Sequence, residues 1–196
     1  MTKFFDKVLV VTCESTPFRW EETKEECDRV GLKVEKMYCI EKSKGISAET
    51  AFNLTQLKIF TTFKGERLLH LEDDVLFKDY SYLEEAFKEL PTDWDIVSLG
   101  ATIRTKQERF SDHLTRYTDG WTTHAIGYSK KMVKWLCKNF DPLNGKIYDE
   151  WLRVRLPELK AYIVRPMVAI QRPTYSAVRE HFVDYTEDFI KSERLI

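Results

Sequence analysis

The chain of 196 residues has only seven glycines, and no phosphate-cradling pattern of the G-x-x-x-x-G-K-[ST] or G-x-G-x-x-G kind occurs among them. Such loops bring backbone N–H groups against a phosphate, so their absence disfavours P-loop NTPases and Rossmann dehydrogenases. Net charge is equally scarce: 31 Lys and Arg face 32 Asp and Glu, a formal charge of −1. The basic excess that nucleic-acid binding draws on is missing. No apolar run approaches the length of a membrane span, and Val8–Val11 is too short to read as a signal peptide. The four cysteines, Cys13, Cys27, Cys39 and Cys137, make no C-x-x-C pair and no zinc-ligand spacing. They sit in apolar segments and read as reduced thiols that pack as small hydrophobes. The expectation is a protein with no nucleic-acid partner and no integral membrane segment. A cytoplasmic setting is expected, with peripheral attachment to an inner membrane face compatible with it.

What is present is apolar material: 43% hydrophobic and 13% aromatic residues, enough to build a core for one compact domain over 1–196. Lys7–Thr12 reads as a short β-branched strand. Thr16-Pro17 then opens a helix to about Val30, and Gly31 fits its left-handed stop. Val34–Ile40 is a second strand, so a βαβ unit and a mostly parallel central sheet flanked by helices follow as the α/β expectation. Ser47 caps a helix to about Phe63, with apolar positions on two stripes. Leu68–Leu71 and Trp94–Leu99 are further strands, with a helix from about Ser81 to Leu90 between them. Residues 101–120, polar and short of apolar anchors, read as a long surface loop or flap. Trp121–Tyr128 is strand-like and Ser129 caps a helix reaching Phe140. A short helix Glu150–Leu156 is stopped by Pro157, and Ala161–Arg165 is a strand. Pro166–Thr174 reads as irregular. In the tail, Val178, Phe182, Tyr185 and Phe189 recur at spacings of 4, 3 and 4, which predicts a docking amphipathic helix over 178–196.

The pattern that breaks this regularity is Leu68-Leu69-His70-Leu71-Glu72-Asp73-Asp74-Val75, an apolar strand that runs into three consecutive acids. Unpaired charge is expensive inside a protein. The acids therefore belong at the C-terminal edge of the sheet, where open α/β folds bind ligands. If the strand stays extended, Glu72 and Asp74 share one face and Asp73 takes the other. Two carboxylates about 5 Å apart repel by ~3 kcal/mol at an effective dielectric of 20, and a divalent cation removes that repulsion. Hard oxygen ligands select Mg²⁺ or Mn²⁺ and leave coordination sites for substrate phosphates. A metal-bridged nucleotide diphosphate is the natural guest. The end of the first strand, Thr12–Ser15 with Arg19 just beyond, is the other expected nucleotide contact.

A second acidic spot, Asp149-Glu150, stands at a helix start. Acids there commonly act as caps or dipole partners; the functional reading is a general base for an acceptor hydroxyl. His124, in a strand-like run, reads first as a core histidine and otherwise as an imidazole for metal or phosphate, and His70 beside the acids reads the same way. No Ser-His-Asp or Cys-His arrangement can be assembled.

The order of these segments resembles the family 25 glycosyltransferases, which include bacterial lipooligosaccharide galactosyltransferases and collagen galactosyltransferase domains. The likeness runs through Val8–Thr12 with Arg19, the helix segment Ala51–Phe60, Leu69–Val75 with its Glu-Asp-Asp, Trp94–Gly100, Thr123–Ser129, Asp149, and finally Gln171 with Ser176. It spans roughly residues 7 to 178. It departs from the family at Gln56 (usually His), Thr55 (usually Ser) and Ile126 (usually Tyr). The resemblance implies a GT-A-like nucleotide-sugar-binding fold and inverting transfer of a hexose, often galactose, from a UDP-sugar donor to a glycan or glycolipid acceptor, with Mn²⁺ or Mg²⁺. It implies Asp74 as main metal ligand assisted by Glu72, and Asp149 as base with Glu150 second. Donor contacts would come from Thr12, Arg19, Asp73, His124 and Gln171. Two alternatives stand beside it: a catalytically inactive nucleotide- or glycan-binding domain, which the departures motivate, and a nucleotidyltransferase, which would normally carry the glycine loop that Thr12–Phe18 lacks.

Overall fold

The computed structural model describes residues 3–196. Its centre is a seven-stranded sheet in the order β2-β1-β3-β7-β5-β8-β6, built from β1 (Lys7–Thr12), β2 (Glu35–Tyr38), β3 (Arg67–Glu72), β5 (Ile96–Ser98), β6 (Leu114–Arg116), β7 (Ala125–Ser129) and β8 (Ala161–Val164). β2, β1 and β3 pair in parallel, as do β5 and β8; β7 runs antiparallel to β3 and β5, and β6 antiparallel to β8. Five of the seven strands thus point one way, as expected for a mostly parallel sheet.

Both faces are buried, and the period of two sorts the side chains between them. Val8, Val10, Leu69, Leu71 and Val97 join one core with α1 (Pro17–Arg29) and α3 (Leu83–Glu89). Leu9, Leu68 and Ile96 join the other, with α2 (Ala48–Thr62), α4 (Lys130–Asn139), α5 (Tyr148–Arg153) and α6 (Thr186–Glu193). Ser47 and Ser129 cap α2 and α4 by accepting from the N–H groups of Thr50 and Met132. Gly31 takes φ +66° at the stop of α1. No helix among the described residues is long and apolar enough to cross a membrane.

Four expectations are corrected. Residues 101–120 are no flap: β6 lies inside them as an edge strand, with Leu114 and Thr115 fully buried. An edge strand needs few apolar anchors, and polar Gln107 supplies local order by accepting from the Thr118 N–H at 2.8 Å. Pro166–Thr174 contains β9 (Ala169–Gln171), paired antiparallel with β4 (Val75–Phe77); three residues between prolines show no period. The Pro157 stop is a 3-10 turn over Leu156–Glu158 after α5 has ended at Arg153. The tail is helical only over α6; Val178 and Phe182 belong to a hairpin of β10 (Thr174–Ser176) and β11 (His181–Val183). Phe182 is exposed while Phe189 is buried, so the 4, 3, 4 spacing joined residues from two elements.

Gly100 ends β5 where the chain crosses β9: a Cβ there would lie 1.8 Å from the Ala169 carbonyl oxygen. Backbone cannot yield as a side chain does. Gly100→Ala is expected to cost about 3 kcal/mol, the upper range of overpacking, read as a lowered urea midpoint.

Candidate active site

The first chain connection carries β1 outward to β2, while β3 starts the other half of the sheet. Strand order therefore reverses beside β1 and β3, the place where open α/β sheets form a crevice at the strand C-termini. A cavity of about 860 Å³ opens there, lined by residues including Thr12, Arg19, Glu72, Asp73, Asp74 and Asp149.

The acidic triplet does not stay extended. β3 ends at Glu72, and Asp73-Asp74 form a turn into β4. The expected alternation is corrected accordingly: Asp73 and Asp74 share one partner, and Glu72 turns to another. Arg19 reaches both aspartates, with Nη2 at 2.5 Å from Asp73 Oδ1 and 3.3 Å from Asp74 Oδ2. Its Nη1 donates to the Tyr175 carbonyl at 3.1 Å and so ties down the hairpin. Gln171, delivered by β9, donates to Asp74 Oδ2 at 3.4 Å. Burial raises the Asp73 pKa despite Arg19, and raises that of Asp74 to about 6.

Glu72 faces Asp149 through one hydroxyl. Thr123 Oγ1 lies 2.8 Å from Glu72 Oε1 and 3.0 Å from Asp149 Oδ1. A threonine hydroxyl has a single hydrogen, so it cannot donate to two carboxylates at once. One of the acids must bring its own proton. Burial, with repulsion from Asp74 and Asp149, pushes the Glu72 pKa well above the carboxylate range, so Glu72 is the acid that carries the proton while no cation is bound. Asp149 Oδ2 accepts from the Thr122 N–H at 3.2 Å. Thr122 holds φ +75°, a conformation costly for a β-branched residue that aims this N–H at the acid. Burial raises Asp149 to about 6 against these two stabilising hydrogen bonds.

The remaining expected residues separate. Glu150 is committed to Trp121 Nε1–H and to Arg153 Nε at 3.1 Å, and the Trp121 hydrogen bond leads in lowering its pKa. Trp121 in turn lies between the Arg104 and Arg153 guanidiniums, 4.4 and 4.5 Å from its ring. Thr12 lines the cavity with its buried Oγ1 unpartnered. His124 is not among the lining residues: its ring is fully buried, edge-on to Phe189 at 5.3 Å. Burial lowers it to about 4, so it is neutral. The expected donor contact at His124 is thus corrected to a core position; its neighbours Thr122 and Thr123, in the irregular entry to β7, line the cavity instead. His70 does line the cavity, as does Gln56, whereas Ile126 is packed in the core. Arg179, on the hairpin, faces Asp149 with favourable charge; no periodic signal marks it.

The hard oxygen of Asp74 Oδ1 is buried without a partner, and Asp74 is the strongest charge acting on Glu72. That donor chemistry fits a Mg²⁺ or Mn²⁺ ion held by one or two carboxylates and completed by phosphate oxygens.

No protein-family profile matches the chain, nor does any curated protein sequence. Solved structures with similar backbones include a Drosophila β-1,4-galactosyltransferase 7 variant complexed with manganese, UDP-Gal and xylobiose (9% identity, 92% of this chain and 72% of that one, TM-score 0.45). Others are a glycosyltransferase involved in glycosylation of the major capsid of PBCV-1 (12%, 89% and 95%, 0.48) and the inositol-1-phosphate CTP transferase of T. maritima (14%, 95% and 76%, 0.45). All three TM-scores lie below 0.5, too low to assign a substrate or a chemistry to this chain.

Because the native pKa of Asp74, about 6, exceeds its ordinary 3.8, the folded state holds the proton more tightly than the unfolded chain. The resulting penalty is absent below about pH 4 and complete above about pH 6. Asp74→Asn is therefore expected to stabilise the protein at pH 8 by on the order of 2–3 kcal/mol and to change little at pH 4. Denaturant titrations at both pH values, with chelator present, measure this.

Proposed function

We propose that the chain is a GT-A-like, family 25-type inverting glycosyltransferase that moves a hexose, with galactose the first candidate, from a UDP-sugar to a hydroxyl of a glycan or glycolipid, as in lipooligosaccharide or surface-polysaccharide synthesis. The observation that carries this reading is the set of buried polar atoms without partners around one cavity: Thr12 Oγ1, Gln56 Oε1, both His70 ring nitrogens, Asp74 Oδ1, Thr122 Oγ1 and Gln171 Oε1. Orphaned buried polar groups are costly, and a hydroxyl-rich ligand bearing a diphosphate would satisfy donors and acceptors alike. Ile126 is packed in the core and is not among the residues that line this cavity.

In this mechanism Arg19, always cationic, faces the diphosphate from the β1 side, and Asp73 keeps the guanidinium in place. Asp74, with Glu72, would hold Mn²⁺ or Mg²⁺, which when bound supplies further neutralisation of the leaving group. Asp149 accepts the proton of the acceptor hydroxyl as that oxygen attacks the sugar carbon. A pKa near 6 suits a general base, because the group is ionised at neutral pH and more basic than an exposed aspartate. Thr122 N–H and Thr123 Oγ1–H each fix one of its oxygens, leaving the outer lone pairs for the substrate. Glu150, already paired with Arg153, is the poorer base.

The test is UDP release from a panel of UDP-hexoses with Mn²⁺ or Mg²⁺, beside calorimetric UDP binding. Asp149→Asn is expected to lower turnover roughly 100- to 10,000-fold while UDP binding is kept. The acid limb of kcat is expected near pH 6, because activity requires ionised Asp149. Thr123→Val is expected to lower kcat with little change in KM, and Thr123→Ser to retain it. Absence of both UDP affinity and UDP-sugar turnover in the intact protein would overturn the proposal.

A further inference from the structure

Apart from the oxygen-rich side of the cavity, its β1–β2 corner has a different chemistry. Cys13 follows the last residue of β1 and Cys39 the last residue of β2, and the Cys39 N–H donates to the Thr12 carbonyl at 2.8 Å, holding the two strand ends side by side. Both thiols are half-buried and line the cavity. Glu41 arrives two residues later, its Oε1 fixed by the Ser15 N–H at 2.9 Å. The Cys13 and Cys39 sulfurs and a Glu41 carboxylate oxygen all lie within 4.8 Å of one another.

We infer that Cys13, Cys39 and Glu41 form a binding site for a thiophilic divalent cation such as Zn²⁺, with its fourth coordination position open to the cavity. Ligand lengths of about 2.3 Å to sulfur and about 2.0 Å to oxygen set tetrahedral edges of roughly 3.3–3.8 Å, which the three atoms reach by small side-chain rotations. The donor set discriminates. Two thiolates and one carboxylate favour Zn²⁺ over Mg²⁺ or Mn²⁺, so this site and the all-oxygen group at Asp74 would select different ions. The Cys39 hydrogen bond lowers the pKa of Cys13 against burial, while that same hydrogen bond and burial hold Cys39 protonated, so the cation itself must displace the second proton. Binding releases the two thiol protons to solvent as the two metal–sulfur bonds form, and no oxidant or reductant is required. The site is independent of the transfer reaction and stands or falls without it.

The experiment is anaerobic titration of the full chain with Co²⁺, a spectroscopic stand-in for Zn²⁺, in a non-thiol reductant. The expected result is a thiolate-to-cobalt charge-transfer absorption that saturates at one equivalent and is bleached by Zn²⁺. The band should persist in Cys137→Ser, which removes the exposed thiol, and vanish in Cys13→Ser and in Cys39→Ser. Glu41→Gln, which keeps an Oε1 acceptor for the Ser15 N–H, should keep the band but weaken affinity at least tenfold. No charge-transfer band in the reduced wild-type protein would overturn the inference. So would a band that survives both Cys13→Ser and Cys39→Ser, or an affinity unaltered by Glu41→Gln.

Discussion

Everything at the cavity depends on one guanidinium held between two carboxylates. Arg19 comes from the first helix, Asp73 and Asp74 from the turn after β3, and the Tyr175 carbonyl from the hairpin near the end of the chain. None of these groups tolerates burial alone. An isolated buried charge costs several kcal/mol, so Arg19 needs at least one ionised aspartate beside it. The arrangement is also incompletely neutral: two buried acids, Asp73 and Asp74, face this single arginine at 2.5 and 3.3 Å. Burial wins over Arg19 at Asp73 and Asp74, since both pKa values lie above the ordinary range. The local excess of negative potential leaves room for further positive charge, whether from a cation or from Arg179 across the cavity.

A second constraint is a count of hydrogens. Thr123 stands between two acids with one hydrogen to offer, so in the metal-free site one of them carries a proton of its own. The strained Thr122 beside it supplies the backbone donor that an unstrained strand entry would aim elsewhere. Together they separate two chemically similar carboxyl groups into a neutral one and an ionisable one, the pattern by which neighbouring acids acquire different roles.

Much of this was legible in the sequence, and the reason is periodicity. The short apolar runs in Lys7–Thr12 and Leu68–Leu71, the caps at Ser47 and Ser129, and the stop at Gly31 are local signals, and local signals report local structure. The prominence of Glu72-Asp73-Asp74 against an apolar strand, the acid pair Asp149-Glu150, and Arg19 near the first strand end are visible for the same reason: charge beside an apolar run is conspicuous. What was hidden is non-local. The β4–β9 pairing joins residue 75 to residue 171, and nothing in the sequence around either announces the other. His124 is conspicuous by residue type while its neighbours Thr122 and Thr123 line the cavity; all three precede β7, where no period of two sorts the side chains. The tail failed because a helical spacing arose by coincidence from a hairpin and a helix in succession.

The insertion of β7 between β3 and β5 has a consequence for how the molecule is made. β3 pairs with β1 on one side, and its other edge waits for Ala125–Ser129, more than fifty residues downstream. A nascent chain that has completed its first βαβ unit and β3 therefore presents an apolar, unsatisfied strand edge for as long as that segment takes to emerge. Such edges recruit other strands. The acids at the end of β3 stand next to this edge, and their mutual repulsion between copies of the chain opposes pairing in register. The same charges that complicate the folded site thus act as gatekeepers before the fold is closed.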